Sequence, residues 1–213
     1  MLSVSQTYQR IVKPLIWITA LLPLIIMIAG VFQLIDVHLG ADPVRAVLHR
    51  SGKTAINLLL ITLTMTPLRQ LTGWSHVLRV RRLLGLFTFF YAFLHFFIYL
   101  SLDLRFSLSA LLGDLSKRPY ITVGFSALVI LASLAATSTQ AMMRRLGRRW
   151  QSLHRWIYAA GLLAVWHFWW QVKKDISEPL LYVAMLAVLL AWRIWKRRRI
   201  TSPSAPATVQ GKT

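Results

Sequence analysis

The sequence predicts an all-α integral membrane protein, a bundle of six transmembrane helices with both termini in the cytoplasm. Three observations predict it: the length of the apolar runs, the alternation of charge between the segments joining them, and two histidines set deep inside two of the runs.

Of 213 residues, 56% are hydrophobic and 15% charged, with 9 Trp. A soluble domain alternates apolar and polar residues to make a surface, and this chain does not. A bilayer core of about 30 Å takes roughly 20 apolar residues of helix. Six blocks supply them, at about 14–34, 54–71, 83–102, 120–138, 154–172 and 179–195. The first is expected to be a spanning helix rather than a cleaved signal, because its apolar run is too long and no small-x-small site follows it. The expected organisation is a cytoplasmic N-terminus at 1–13, one helical domain at 14–199 and a disordered tail at 200–213, rich in Pro, Ser, Thr and Ala without an apolar face.

Between the blocks, Leu39-Gly-Ala-Asp-Pro43 reads as a turn whose Asp caps a short segment at 44–50. Residues 103–118 are too polar to span, and their Leu/Phe spacing predicts a short helix in the outer interface. Pro119 and Pro179 suit the first positions of the fourth and sixth helices, where a missing N–H costs little. No internal repeat is evident.

The net charge of +19 is unevenly spread. The N-terminus through Lys13, residues 69–82, residues 139–155 and the end from Arg193 together carry +17; residues 35–53, 103–118 and 172–179 together carry +2. This alternation follows the positive-inside rule and puts both termini on the cytoplasmic side. The basic charge therefore reads as topology plus contact with anionic membrane lipid, with no nucleic acid as partner. Cysteine is absent, which excludes disulfides, Cys-ligated clusters and thioether-attached heme, so any metal centre must use histidine or oxygen ligands.

Two of the six histidines, His95 and His167, lie deep in apolar blocks. An intramembrane ionisable residue is costly, and is either a functional group or a neutral ring bonded to a neighbouring helix. His95 lies 13 residues past Arg82 and His167 12 past Arg155, about 20 Å and about 18 Å into the membrane from the same side. Two imidazoles level on different helices suit the two faces of one heme b iron. His154, 13 residues before His167, is either a further ligand or an interfacial anchor; a straight helix would turn the two rings roughly 140° apart, so ligation by both calls for a bend. Its level on the third helix falls at Arg81 or Arg82, where there is no histidine. His38, His49 and His76 read as interfacial or loop residues. The clusters holding Arg82 and Arg149 are topology anchors that also suit heme propionates or a flavin phosphate. No nucleophile triad, carboxylate pair, P-loop or dinucleotide glycine motif is present.

Several stretches in order carry a resemblance over nearly the whole chain: Leu39-Gly-Ala-Asp-Pro43, His49 with Gly52 and Ala55, Arg79-Val-Arg-Arg-Leu-Leu-Gly85, His95, Arg118-Pro-Tyr120, Thr137-Ser-Thr-Gln-Ala-Met142, and Leu146-Gly-Arg-Arg-Trp-Gln-Ser-Leu-His154 followed by His167. The chain resembles the heme-binding membrane subunits of bacterial periplasmic methionine-sulfoxide reductase systems, within the wider group of ferric-reductase-like transmembrane domains. The resemblance implies a six-helix ferric-reductase-like bundle in the bacterial inner membrane. It also implies electron transfer from the quinone pool or a flavin donor, through heme, to a periplasmic molybdopterin-containing catalytic subunit that repairs oxidised proteins. FMN is implied as a further cofactor, without residues to place it. The wider group usually carries two histidine pairs, against three obvious positions here. An electron-transfer protein with another acceptor, such as a ferric or quinone reductase, and a proton-coupled transporter are the competing readings; the absence of acidic residues inside the blocks weighs against the transporter.

Overall fold

The computed structural model describes residues 8–35, 40–73, 77–172 and 175–201. His38, His76 and the tail from 202 lie outside them, as do the expectations placed there. The described residues are helices and short connections, without a strand.

A π-helical turn, Tyr8–Val12, leads into α1 (Lys13–Val31). Then come α2 (Pro43–Thr72), α3 (Val77–Ile98, continued by a π-helical turn Tyr99–Asp103), α4 (Leu108–Lys117) and α5 (Pro119–Ala136). The chain closes with α6 (Gln140–Leu146), α7 (Arg148–His154), α8 (Ile157–Gln171) and α9 (Ser177–Thr201). Each of the six apolar blocks is helical over most of its length. Among the described residues, four stretches are long and apolar enough to cross a membrane: Tyr8–Val31, Arg79–Asp103, Pro119–Ala136 and Ser177–Lys196. The other two blocks fall in α8, which is 15 residues long, and in α2, which carries Arg45, Arg50, Lys53 and Arg69 along its length.

The helix ends follow local chemistry. Asp42 accepts a hydrogen bond from the Arg45 N–H at 3.0 Å, capping α2, with Pro43 at the first helical position. The expected separate segment at 44–50 is instead the first part of α2, which runs unbroken through Gly52; a lone Gly lowers helix propensity by about 1 kcal/mol and does not break a packed helix. Pro119 opens α5 as expected, whereas Pro179 is the third residue of α9 rather than the first. The expected helix at 103–118 is α4, capped by Ser107. Asp114 of α4 accepts from Tyr99 and pairs with Arg118 at 3.3 Å, tying α4 to the end of α3 and the start of α5. The fifth block is not one straight helix: Arg155 and Trp156 form a turn between α7 and α8.

In the bundle α2 packs along α3, and α5 along α8; α3 meets α5, α9 meets α8 and α2, and α1 meets α2 and α3. One core joins Leu59 and Leu63 of α2 to Leu131 of α5, Ala160 of α8 and Leu186 of α9. A second joins Ala20 of α1 to Leu58 of α2 and Phe87 and Tyr91 of α3. The outward faces stay apolar: Ile18 is 64% exposed and Val188 68%. In water such surface would be an aggregation liability; in a bilayer it faces lipid.

Inside α1, Pro23 interrupts the backbone ladder. The hydroxyl of Tyr91, itself fully buried, donates to Ala20 O at 2.6 Å and accepts from Leu24 N at 3.1 Å. It thus stands between two backbone groups that would bond each other in a regular helix, satisfying both where no water is available.

Candidate functional site

His95 projects from α3 and His167 from α8, and the fold brings their rings to 6.2 Å between centroids with the planes 77° apart. The two histidines expected to pair do come together. Two imidazoles on opposite faces of one metal, with nitrogen–metal bonds of about 2.0 Å and about 1.2 Å more to each ring centre, have centroids about 6.4 Å apart. The observed spacing fits a shared metal. Both rings are half-buried. Among the described residues no three His, Asp or Glu gather to hold a bare ion, so the pair fits an iron whose other ligands come from a macrocycle rather than from the protein.

Each ring is held from outside the pair. The Nδ1 of His95 lies 2.9 Å from Leu48 O and that of His167 2.7 Å from Tyr120 O. A carbonyl can only accept, so both Nδ1 atoms carry the proton and both Nε2 atoms keep the lone pair a metal requires. Ser51 adds to the first contact: its hydroxyl donates to Leu48 O at 2.8 Å and lies 3.5 Å from His95 Nδ1. Each ring also lies flat against a glycine. A Cβ on Gly52 would come within 3.0 Å of His95 Nδ1, and one on Gly124 within 2.7 Å of His167 Nδ1.

The two cradles are copies of one arrangement. Leu48, Gly52 and His95 correspond to Tyr120, Gly124 and His167 at a constant offset of 72 residues. In both, the carbonyl belongs to the residue four before the glycine, on the helix that packs along the histidine's own. Against the expectation of no internal repeat, the α2–α3 and α5–α8 pairs repeat this local geometry. The sequence hides it because the repeated elements are backbone carbonyls and single glycines.

Leu48 is the sixth residue of α2 and Tyr120 the second of α5, so the pair sits near the end of the bundle where Asp42 and Asp114 lie. The Tyr120 ring is 6.4 Å from that of His167, and Phe96 of α3, next to His95 in sequence, meets Phe125 of α5, next to Gly124, at 5.6 Å.

His154 ends α7 at the opposite, basic end. Its ring stacks on Trp150 at 4.0 Å, its Nε2 lies 3.2 Å from Thr137 Oγ1, and the Trp150 Nε1–H donates to Thr137 O at 3.0 Å. Arg81 lies within electrostatic reach of the ring. Arg155 and Trp156 interrupt the helix between His154 and His167 with a turn. The offset that relates His167 to His95 relates His154 to Arg82, so the first helix pair has no histidine at that level. Arg82 and Arg149 are exposed, as is His49 on α2. Sequence reasoning did not single out Leu48, Ser51, Tyr120 or Gly124 as ring supports; the only local signal was a glycine inside an apolar helix.

Comparison with known proteins agrees with this architecture. The ferric reductase like transmembrane component family matches residues 51–165. With its long apolar helices, the chain is a multi-pass membrane protein of the ferric-reductase-like class. It is 57% identical over 175 residues to the protein-methionine-sulfoxide reductase heme-binding subunit MsrQ of Xanthomonas axonopodis pv. citri, covering 78% of this chain and 80% of that one. It is 51% identical over 209 residues to MsrQ of Xanthomonas oryzae pv. oryzae (95% and 96% covered), and 49% identical over 193 residues to MsrQ of Bordetella pertussis (88% and 92% covered). The chain belongs to the MsrQ family. No solved structure matches it.

Proposed function

We propose that this chain is a membrane b-type cytochrome subunit that passes electrons to a protein-methionine-sulfoxide reductase, with His95 and His167 as the residues that would hold heme b. The observation that carries the reading is the facing pair of rings at 6.2 Å, each with Nδ1 committed to a backbone carbonyl. The name of the relatives, a heme-binding subunit of that reductase, supports it. When bound, heme would supply one-electron chemistry, at a potential tuned by the two histidines and their surroundings. The chain's own residues do the rest: Leu48 and Tyr120 fix the tautomer and raise the basicity of Nε2, Gly52 and Gly124 let the helices approach to ring thickness, and the nearby Phe and Tyr rings exclude water.

On this reading all six long helices span the bacterial inner membrane, residues 14–199 form the heme domain, and both termini face the cytoplasm. The His95–His167 pair then lies in the outer half, and electrons leave it toward a periplasmic molybdopterin-containing catalytic subunit. The quinone pool or a flavin donor supplies them. Arg82 and Arg149 are the proposed contacts for heme propionates or the phosphate of FMN, and His154 is a further candidate ligand at the basic end.

The test is the optical spectrum of the purified protein. The wild type is expected to show a low-spin Soret band that is lost in both His95→Ala and His167→Ala. A protein without that band, or variants that retain it unchanged, would overturn the proposal. Oxidation of the reduced protein on adding the catalytic subunit tests the direction of electron flow.

A further inference from the structure

At the basic end of the bundle, away from the paired histidines, a cleft of about 170 Å³ opens between α8 and α9. Its walls are Arg155, Tyr158, Leu190, Arg193 and Ile194. It runs on into a narrower recess that shares Tyr158 and Arg193 and is backed by Gln70 of α2. The walls are tied together: the Arg193 guanidinium rests on the Tyr158 ring at 4.5 Å, and the Trp192 Nε1–H donates to Gln70 Oε1 at 3.2 Å.

Three features decide what such a cleft takes. Its charge is positive: Arg155 from the turn before α8 and Arg193 of α9 line it, while Asp42, Asp103, Asp114, Asp175 and Glu178 lie toward the other end of their helices or of the bundle. Its size is small: about 170 Å³, below the roughly 300–1,000 Å³ of a site that encloses a drug-sized ligand and enough for a phosphate and its glycerol. Its outer wall is apolar and open to lipid, with Ile194 55% exposed. Trp192 and Trp195 mark this level as the membrane interface, where lipid phosphates lie.

We propose that this cleft binds the phosphodiester headgroup of an anionic phospholipid. Arg155 and Arg193 hold the phosphate oxygens through charge-assisted hydrogen bonds, and the acyl chains lie along Leu190, Ile194 and the outer face of α9. Because Arg155 forms the turn between α7 and α8, the bound lipid braces the break in the fifth apolar block, one residue from His154.

The test is native mass spectrometry of the full chain, delipidated in a nonionic detergent and offered phosphatidylglycerol or phosphatidylcholine. Wild type is expected to retain phosphatidylglycerol in preference to phosphatidylcholine. Removing each arginine should weaken that retention about tenfold, the scale of one charge-assisted contact. Arg155→Gln/Arg193→Gln should therefore lose the lipid, while Arg105→Gln, at the other end, keeps it. Arg193→Lys should be intermediate, since it retains charge without the paired donors. Equal retention of the two lipids by wild type, unchanged retention in the double variant, or displacement of the lipid by millimolar FMN or inorganic phosphate would each overturn the proposal. Should the double variant fail to fold, lipid selectivity of wild type and of Arg193→Lys decides. The readout is lipid mass, so it stands apart from heme content.

Discussion

The Nδ1–H of His167 donates to the carbonyl oxygen of Tyr120 across 2.7 Å, and the ring lies against the backbone of Gly124, one helical turn further along the same helix. His95 stands in the same relation to Leu48 and Gly52. A ring held on its far side by a carbonyl and on its flat side by a glycine has little freedom left, so its Nε2 is presented in one direction.

Gly124→Ala places a methyl carbon only 2.7 Å from His167 Nδ1, on a helix that cannot retreat without unpacking α5 from α8. Loss of an outer-shell support typically costs about 10- to 100-fold in metal affinity. Heme retention in Gly124→Ala is expected to fall within that range, measured by heme transfer to a high-affinity acceptor protein. Gly52→Ala, with its nearest contacts at 3.0 Å, should fall less. Equal retention in both variants and wild type would show that the glycines do not set ring position.

His154→Ala is expected to leave the spectrum of the His95–His167 pair intact. Its Nε2 is engaged with Thr137, and its counterpart in the other helix pair is Arg82. A heme-to-protein ratio by pyridine hemochrome that halves in His154→Ala would place a second heme there.

Tyr91→Phe removes the hydroxyl between Ala20 O and Leu24 N and strands both inside the bundle. An unsatisfied buried group costs about 1–3 kcal/mol, and measured polar contacts in membrane proteins fall toward the low end. A destabilisation of about 2 kcal/mol is expected in denaturant unfolding from mixed micelles. In a Pro23→Ala background the helix can close its own bond, so the same substitution should cost less; additive effects would refute the coupling.

Besides the Trp192–Gln70 bond, two polar rungs join α2 to α9 nearer their other ends: Lys53 with Glu178, both nearly half exposed, and Tyr182 with Asn57 at 2.7 Å one turn further in. Glu178→Gln should change stability by under about 1 kcal/mol, as exposed pairs do. Tyr182→Phe, at a buried ring, should cost about 1 kcal/mol or more because Asn57 Oδ1 loses its donor. The same unfolding measurement, repeated at high salt, separates them, since only the outer pair is screened.

The six apolar blocks, the uneven basic charge and the two deep histidines were legible in the sequence, because hydropathy and charge are sums over neighbouring residues and survive any packing. Each block is helical over most of its length, the fifth with a turn at Arg155 and Trp156, and His95 and His167 do meet. The ring supports were not legible. Leu48 and His95 are 47 residues apart, as are Tyr120 and His167, and the bonding atoms are backbone carbonyls that every residue has. Nor could the chain reveal by itself that Tyr91 fills the gap beside Pro23, or that α2 runs straight through Gly52 while the fifth block turns at Arg155. Local chemistry determined which segments are helices and which rings are costly to bury. Packing alone decided which backbone atoms meet those rings, because that depends on how close two helices can come, and here two glycines set that distance.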